Sequence, residues 1–484
     1  MAQAVRGFTG TQENDSIPLF QGFIWEMSAR ILLATGVVIC SAAAIYGCAY
    51  YKFSPQAGMG PIIGLASVAS PSPAPAAAAE PLTPATRALF DRCVRGGFPT
   101  EENAERRSAD CSKAIQTREL SPDELALARL IRGSARMSLG DKVMETEDFV
   151  AALTRFDAMA DSRNPDALNL FRRAIAEDAL GNTEKALDLY NEAIRLDPTG
   201  AHPFFARGVL LATRKRAYER AIEDFDKALA LEPDNVQVLI RRGDALSQLG
   251  DTARGLVDVD RAIALSPNYS QGYFYRGLIH GRRNDLRAAL ADYDAAVERG
   301  PPNSNTLTSR AAIYSIIGRF ALAIQDLDAA LAIDKNNSHA LFNRGYARFA
   351  LGEHQKAIAD YTSAIDLDPT LGVAYNNRCL TLAVIGQDLV KALADCDEGL
   401  KLAPVNLDVR VTRGLIYLKL GDPALALNEY NAALERDPNR AIALYGRGLA
   451  KIRTGDIKGG EGDQAAARTL DPEVKQQFAS YGLN

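Results

Sequence analysis

A proline returns at positions 198, 233, 267, 301, 369, 404, 438 and 472, with Lys335 standing in register in the gap, so the step is 34 or 35 residues throughout. A fixed step of roughly 20 to 50 residues marks an array of stacked units. Such an array accounts for a chain of 484 residues without calling on several separate domain cores.

Nine units follow over residues 166–472. In each, a small residue stands 24 positions before the proline: Ala174, Gly243, Gly277, Ala311, Gly345, Gly414 and Gly448, with Gly208 and Cys379 displaced by one because their units hold an extra residue. A second small column lies five before the proline, from Ala193 to Ala467, and Gly399 is its departure from alanine. An aromatic precedes that column by three at Tyr190, Phe225, Tyr293, Tyr361 and Tyr430. Glycines at 181, 250, 318, 352, 386, 421 and 455 separate the halves. Each unit therefore reads as helix, turn, helix and a proline that stops it. One such hairpin cannot bury its apolar face alone, so stability comes from stacking, and residues 473–484 are expected to cap the last unit.

This pattern of small, aromatic, small and proline positions resembles the tetratricopeptide repeat family over residues 166–472. Segment 344–369, RGYARFALGEHQKAIADYTSAIDLDP, carries nearly every signature position, whereas the third unit (Gly255, Val259) and the ninth (Gly460, Gln464) are degenerate. The resemblance implies an all-α, right-handed α-solenoid with a concave groove, lined by the first helices, that binds peptides or partner proteins. In such grooves the sixth position commonly faces the ligand, and here it reads Arg172, Ala206, Arg241, Tyr275, Ser309, Asn343, Asn377, Thr412 and Gly446. Asn343 and Asn377 are spaced to hold a peptide backbone by amide hydrogen bonds, as the resemblance suggests; the alternative is two surface asparagines without a ligand. The Lys and Asn set of chaperone-type carboxylate clamps is missing, which disfavours capture of peptide C-termini. Phe171, Phe205, Phe274, Phe342 and Tyr445 at the fifth position read as packing between units.

One rule departs from the family's usual apolar choice. The residue before the small column is arginine in all nine units, from Arg173 to Arg447, and the residue before the aromatic column is acidic in eight of nine. We read this as a ladder of arginine–carboxylate pairs between the two helices, such as Arg276 with Asp292 and Arg344 with Asp360. The other reading is a row of arginines turned to the groove for acidic ligands.

Residues 85–165 look repeat-like but irregular, as two hairpins. Before them, after a polar tail of residues 1–30, Ile31 to Tyr51 holds 21 positions without a charge, enough to cross a hydrocarbon core of ~30 Å. Trp25 and Tyr46, Tyr50 and Tyr51 mark its edges, and the long acidic tail argues for an uncleaved transmembrane anchor. A lipidated Cys48 is the alternative, although Tyr46 spoils the lipobox. Residues 52–84, rich in proline and alanine, form a tether that would reach ~30 Å as a coil and ~100 Å extended.

The cysteines outside the span form two pairs, Cys93 with Cys111 and Cys379 with Cys396, each split between the helices of one hairpin. Disulfides in an oxidising compartment and buried free thiols are the two readings. The surroundings of Cys93 and Cys111 also resemble the start of periplasmic repeat proteins of alpha-proteobacteria. With the weak excess of basic residues before the span, this points to a single-pass bacterial inner-membrane protein with a periplasmic body; a cytoplasmic body is the alternative.

A net charge of −5 gives no footprint for nucleic acid. The four histidines lack metal-ligand spacing, and GDIKGGEGD (455–463) lacks the Lys-Ser/Thr of a phosphate loop. No nucleophile has a plausible base, so no cofactor, metal or small-molecule substrate is expected. The expectation is a non-catalytic scaffold for protein partners; the alternative is a non-catalytic subunit of an envelope or polysaccharide transferase complex.

Overall fold

The computed structural model describes residues 82–95, 103–139, 142–160 and 166–483. The anchor expected at Ile31–Tyr51 and the tether up to residue 81 lie outside them; the expected end of the tether at 84 runs two residues too far, since Thr83 caps the first helix and Pro84 begins it. Among the described residues there are 23 α-helices and no strand, and no helix is long and apolar enough to cross a membrane.

The helices pair as hairpins. Hairpins 1 to 6 are Pro84–Val94 with Ala104–Gln116, Pro122–Leu139 with Lys142–Ala158, Ala167–Ala179 with Thr183–Leu196, Ala201–Leu210 with Tyr218–Leu231, Val236–Gln248 with Thr252–Leu265, and Ser270–Arg282 with Leu286–Arg299. Hairpins 7 (Ser304–Ile316, Phe320–Ile333) and 8 (Ser338–Ala350, His354–Leu367) are followed by hairpins 9 (Gly372–Ile385, Leu389–Leu402), 10 (Leu407–Leu420, Pro423–Leu434) and 11 (Ala441–Arg453, Ile457–Leu470). A last helix, Val474–Ser480, packs on hairpin 11 with Val474 and Phe478 buried. The described chain divides into two compact units: residues up to 313 with 326–340, and residues 314–325 with those from 341 on. Within each, consecutive hairpins stack in chain order around one apolar core.

The turns explain why the hairpins are so alike. The glycines at 181, 250, 318, 352, 386, 421 and 455 all have positive φ, a conformation that costs an L side chain but not glycine. Hairpins 4 and 6 use Arg216 and Asn284 there instead. The extra residue of hairpin 4 is absorbed as a π-helical turn, Leu211–Lys215, which ends at Arg216. In hairpin 9 the extra residue falls in the turn, where Asp388 takes a left-handed conformation and caps the second helix at the Lys391 amide.

Small residues of the first column touch aromatics of the second helix. A Cβ added at Gly208, Gly277 or Gly345 would lie 2.7, 2.8 or 2.7 Å from Phe225, Tyr293 or Tyr361. Hairpins 1 and 9 replace this contact by a bond: Cys93 joins Cys111, and Cys379 joins Cys396, with Cα atoms 4.7 and 5.6 Å apart.

The arginines act as staples with two partners. In hairpin 5, Arg242 Nε and Nη2 both donate to Asp258 at 2.7 Å, while Nη1 reaches Asp226 of the preceding hairpin at 2.7 Å. Arg276 repeats this with Asp292 and Asp260, and Arg310 with Asp326 and Asp294. Bonding to the acid of its own hairpin is the chief reason that Arg242 and Arg276 hold their protons above the ordinary guanidinium range despite partial burial. In the second unit Arg344 pairs with Asp360, Arg378 with Asp395, Arg413 with Glu429 and Arg447 with Asp463. There Nη1 of Arg378, Arg413 and Arg447 reaches back to Thr362, Asp397 and Asn431. Arg173, whose hairpin has Leu189 at the acidic position, bonds to Asp157 of hairpin 2.

The same device runs through the first two hairpins. Arg132 grips Asp148 through Nε and Nη2 and reaches Ser112 of hairpin 1, with Gly133 against Phe149; Arg92 stands 3.6 Å from Asp110 beside the Cys93–Cys111 bond.

Candidate functional site

Within each unit the ladder holds the hairpins in one register, so the sixth position of each first helix returns to the same face of that unit. In the first unit that position carries Arg172, Arg241, Tyr275 and Ser309. Arg172 is half-buried with no acid bonded to it among the described residues, and burial lowers its pKa against the more distant Asp166 and Asp123. Ser309 is buried and its hydroxyl donates to the Asn305 carbonyl one turn back. Arg241 and Tyr275 meet across adjacent helices: the guanidinium lies 4.9 Å from the ring centroid, and Nη1 donates to the Tyr275 hydroxyl.

Around that pair the face is polar and closely packed. Gln237, one turn before Arg241, donates Nε2 to the Tyr269 hydroxyl. Asp244, one turn after it, is bound by Arg282 at 2.7 Å. Gln237 Oε1, Arg241 Nε, Gln248 Nε2 and Gln271 Oε1 are buried atoms without a hydrogen-bond partner among the described residues. The glutamines escape a motif search because each is an ordinary helical residue; the signal is their spacing with Arg241, at 237, 241, 244 and 248, which places them on one helix face.

In the second unit the sixth position carries Asn343, Asn377 and Thr412. Asn343 and Thr412 are buried. The Asn377 amide donates one hydrogen to the Val373 carbonyl of its own helix at 2.8 Å, which leaves its second N–H and its oxygen for other partners. An open cavity of about 710 Å³ lies at the turn edge of this unit, between Lys419, Arg453 and Tyr481 to Leu483. There Lys419 donates to the Val384 carbonyl and Arg453 to that of Leu418, each closing the end of the preceding first helix, and burial lowers the pKa of Lys419. Among the described residues no group of His, Cys, Asp and Glu is arranged to hold a metal ion.

Comparison with known proteins falls on this same frame. Tetratricopeptide repeat patterns match residues 167–199, 205–270, 240–304, 339–371 and 411–473. A tetratricopeptide repeat and J domain-containing co-chaperone, DNJ1, of Cryptococcus neoformans var. grubii is 32% identical over 90 residues, which are 19% of this chain and 17% of that protein. Among solved structures, YrrB, described as a TPR protein with an unusual peptide-binding site, is 21% identical, with a TM-score of 0.32 over 39% of this chain and 96% of that one. MamA is 24% identical, with a TM-score of 0.32 over 36% of this chain and 95% of that one. Proteins with such repeats are generally protein-interaction scaffolds. The hairpins at residues 167–199, 205–304, 339–371 and 411–473 are therefore tetratricopeptide repeats, and this chain is a carrier of them.

Proposed function

We propose that the chain is a non-catalytic, membrane-tethered scaffold that binds extended segments of partner proteins along the first-helix face of its repeats. The observation that carries this reading is the polar face at hairpins 5 and 6, where buried amide and guanidinium atoms lack partners among the described residues. Such atoms are costly to bury unpaired, and a peptide backbone supplies both donors and acceptors for them. The uncharged run Ile31–Tyr51 and the proline-rich stretch behind it support a single anchor with a flexible tether in a bacterial inner membrane. The two intra-hairpin disulfides support a periplasmic body, since such bonds persist in oxidising compartments.

Two experiments test the two halves of the proposal. A photo-activatable amino acid at the half-buried Gln248 of hairpin 5 should cross-link to a partner polypeptide in cells, whereas the same probe at exposed Val257 on a second helix should not; equal cross-linking from both sites refutes the binding face. A membrane-impermeant alkylating reagent applied to intact cells should label Cys93, Cys111, Cys379 and Cys396 only after reduction. Free thiols shielded until the membrane is opened would place the body in the cytoplasm.

A further inference from the structure

The ladder arginines show how this fold satisfies a guanidinium. From Arg207 onward each gives an Nε or Nη2 hydrogen to an acid of its own hairpin, and most of them use both. Arg241 breaks the rule. It is 8% exposed, its Nη1 is held by the neutral Tyr275 hydroxyl, and its Nε, on the edge that takes the acid in the ladder, has no partner. The acid on its own helix face, Asp244, belongs to Arg282. A cation removed from water in this way needs an opposite charge to be stable. Around it, Gln237 and Gln271 offer carbonyl oxygens and Gln248 offers an amide nitrogen, all unpartnered. Those groups match the hydrogen-bonding pattern of an extended main chain.

We propose that the first helices of hairpins 5 and 6 form a subsite for an acidic side chain on an extended peptide, with Arg241 as its counter-charge and Gln237, Gln248 and Gln271 holding the peptide amides. This rests on the scaffold reading above and adds the chemistry of the ligand. A carboxylate docks on the Nε edge of Arg241, as Asp258 does on Arg242 in the same helix. Tyr275 stays on Nη1, outside that edge, and its hydroxyl competes only by partly satisfying the guanidinium.

The test uses the full-length protein in detergent and pools of terminally blocked nonapeptides, randomised except for a fixed central residue. Pools fixed as Asp or Glu should be retained at least about tenfold over pools fixed as Asn, Gln or Lys. Arg241→Gln should abolish that preference while general retention persists. Tyr275→Phe, which keeps the charge and removes the hydroxyl from Nη1, should sharpen the preference about two- to threefold. Should Arg241→Gln fail to fold by circular dichroism, the tyrosine variant decides: a sharpened preference supports the subsite and an unchanged or weakened one overturns it. Retention without acidic preference, or a preference that survives in Arg241→Gln, overturns this inference alone. Retention of no pool at all sinks the scaffold reading and the subsite with it.

Discussion

Arg242→Met removes one staple and leaves its two acids in place. The side chain of Asp258 is 9% exposed and would lose two charge-assisted bonds of 2.7 Å, whereas that of Asp226 is 51% exposed and would be rehydrated. Breaking a buried pair from one side costs about 3–5 kcal/mol, and an exposed pair is worth about 0.2–1 kcal/mol. Arg242 keeps some contact with water, so the lower end applies: about 3 kcal/mol, nearly all from Asp258. In a stacked array that loss is local, because each hairpin contacts only its neighbours. Amide hydrogen exchange read by mass spectrometry should show protection in hairpins 4 and 5 falling on the order of a hundredfold, since 1.4 kcal/mol is about a factor of ten. Hairpins 9 to 11 should be unchanged. Asp226→Asn should alter protection less than about fivefold. The double variant Arg242→Met with Asp258→Leu should recover most of the loss, because it removes the unpaired charge along with its partner. If the single and double variants lose protection equally, the cost lies in packing and the staple argument fails.

Gly277→Ala would place a methyl 2.8 Å from the Tyr293 ring, and overpacking of about 1–3 kcal/mol should lower exchange protection in hairpin 6; unchanged protection would mean that the helices part freely. Reducing the Cys379–Cys396 bond opens a link between residues 17 apart, so hairpin 9 should lose ~3 kcal/mol of local stability while hairpins 4 to 6 do not respond; equal loss in both would point to a global effect of the reductant. Asp178 is buried and its pKa is raised to about 6 by desolvation, which outweighs the pull of Arg214. The native state therefore keeps this proton up to higher pH than the unfolded chain, and stability present near pH 4 is lost as pH rises through about 6. Asp178→Asn should match the wild type at pH 4 and exceed it at pH 8 by up to ~3 kcal/mol, read from urea-dependent exchange in hairpin 3; a difference independent of pH would refute the titration.

The repeat register was legible because each of its columns answers one steric demand. Gly277 stands where Tyr293 leaves no room for a methyl, and Gly250 where φ is positive, so either can be read from the residue alone. Half of each staple was legible in the same way, since Arg242 and Asp258 share a period. The other half was not, because the acceptor after the aromatic column varies among Asp226, Thr362 and Asn431, and only hydrogen-bonding capacity is common to them. In hairpins 1 and 2 the rule was present as Arg92 before Cys93 with Asp110 before Cys111, and as Arg132 before Gly133 with Asp148 before Phe149. There the steps of 40 residues from Arg92 to Arg132 and 41 from Arg132 to Arg173, in place of 34 or 35, hid it.

The groove was harder for a different reason. Register names the residues at the sixth position, but what each can offer a ligand depends on which neighbour claims it first. Asn377 spends one of its two amide hydrogens on Val373 one turn away, an outcome decided within a single helix. Arg241 is claimed by Tyr275, which lies 34 residues further on, and the acid that would have neutralised it is taken by Arg282, 38 residues from Asp244. A row of like positions therefore becomes a row of unlike sites. At Arg241 the uncompensated charge is set by these two cross-helix pairings together, and changing Tyr275 or Arg282 should alter ligand preference as surely as changing Arg241 itself.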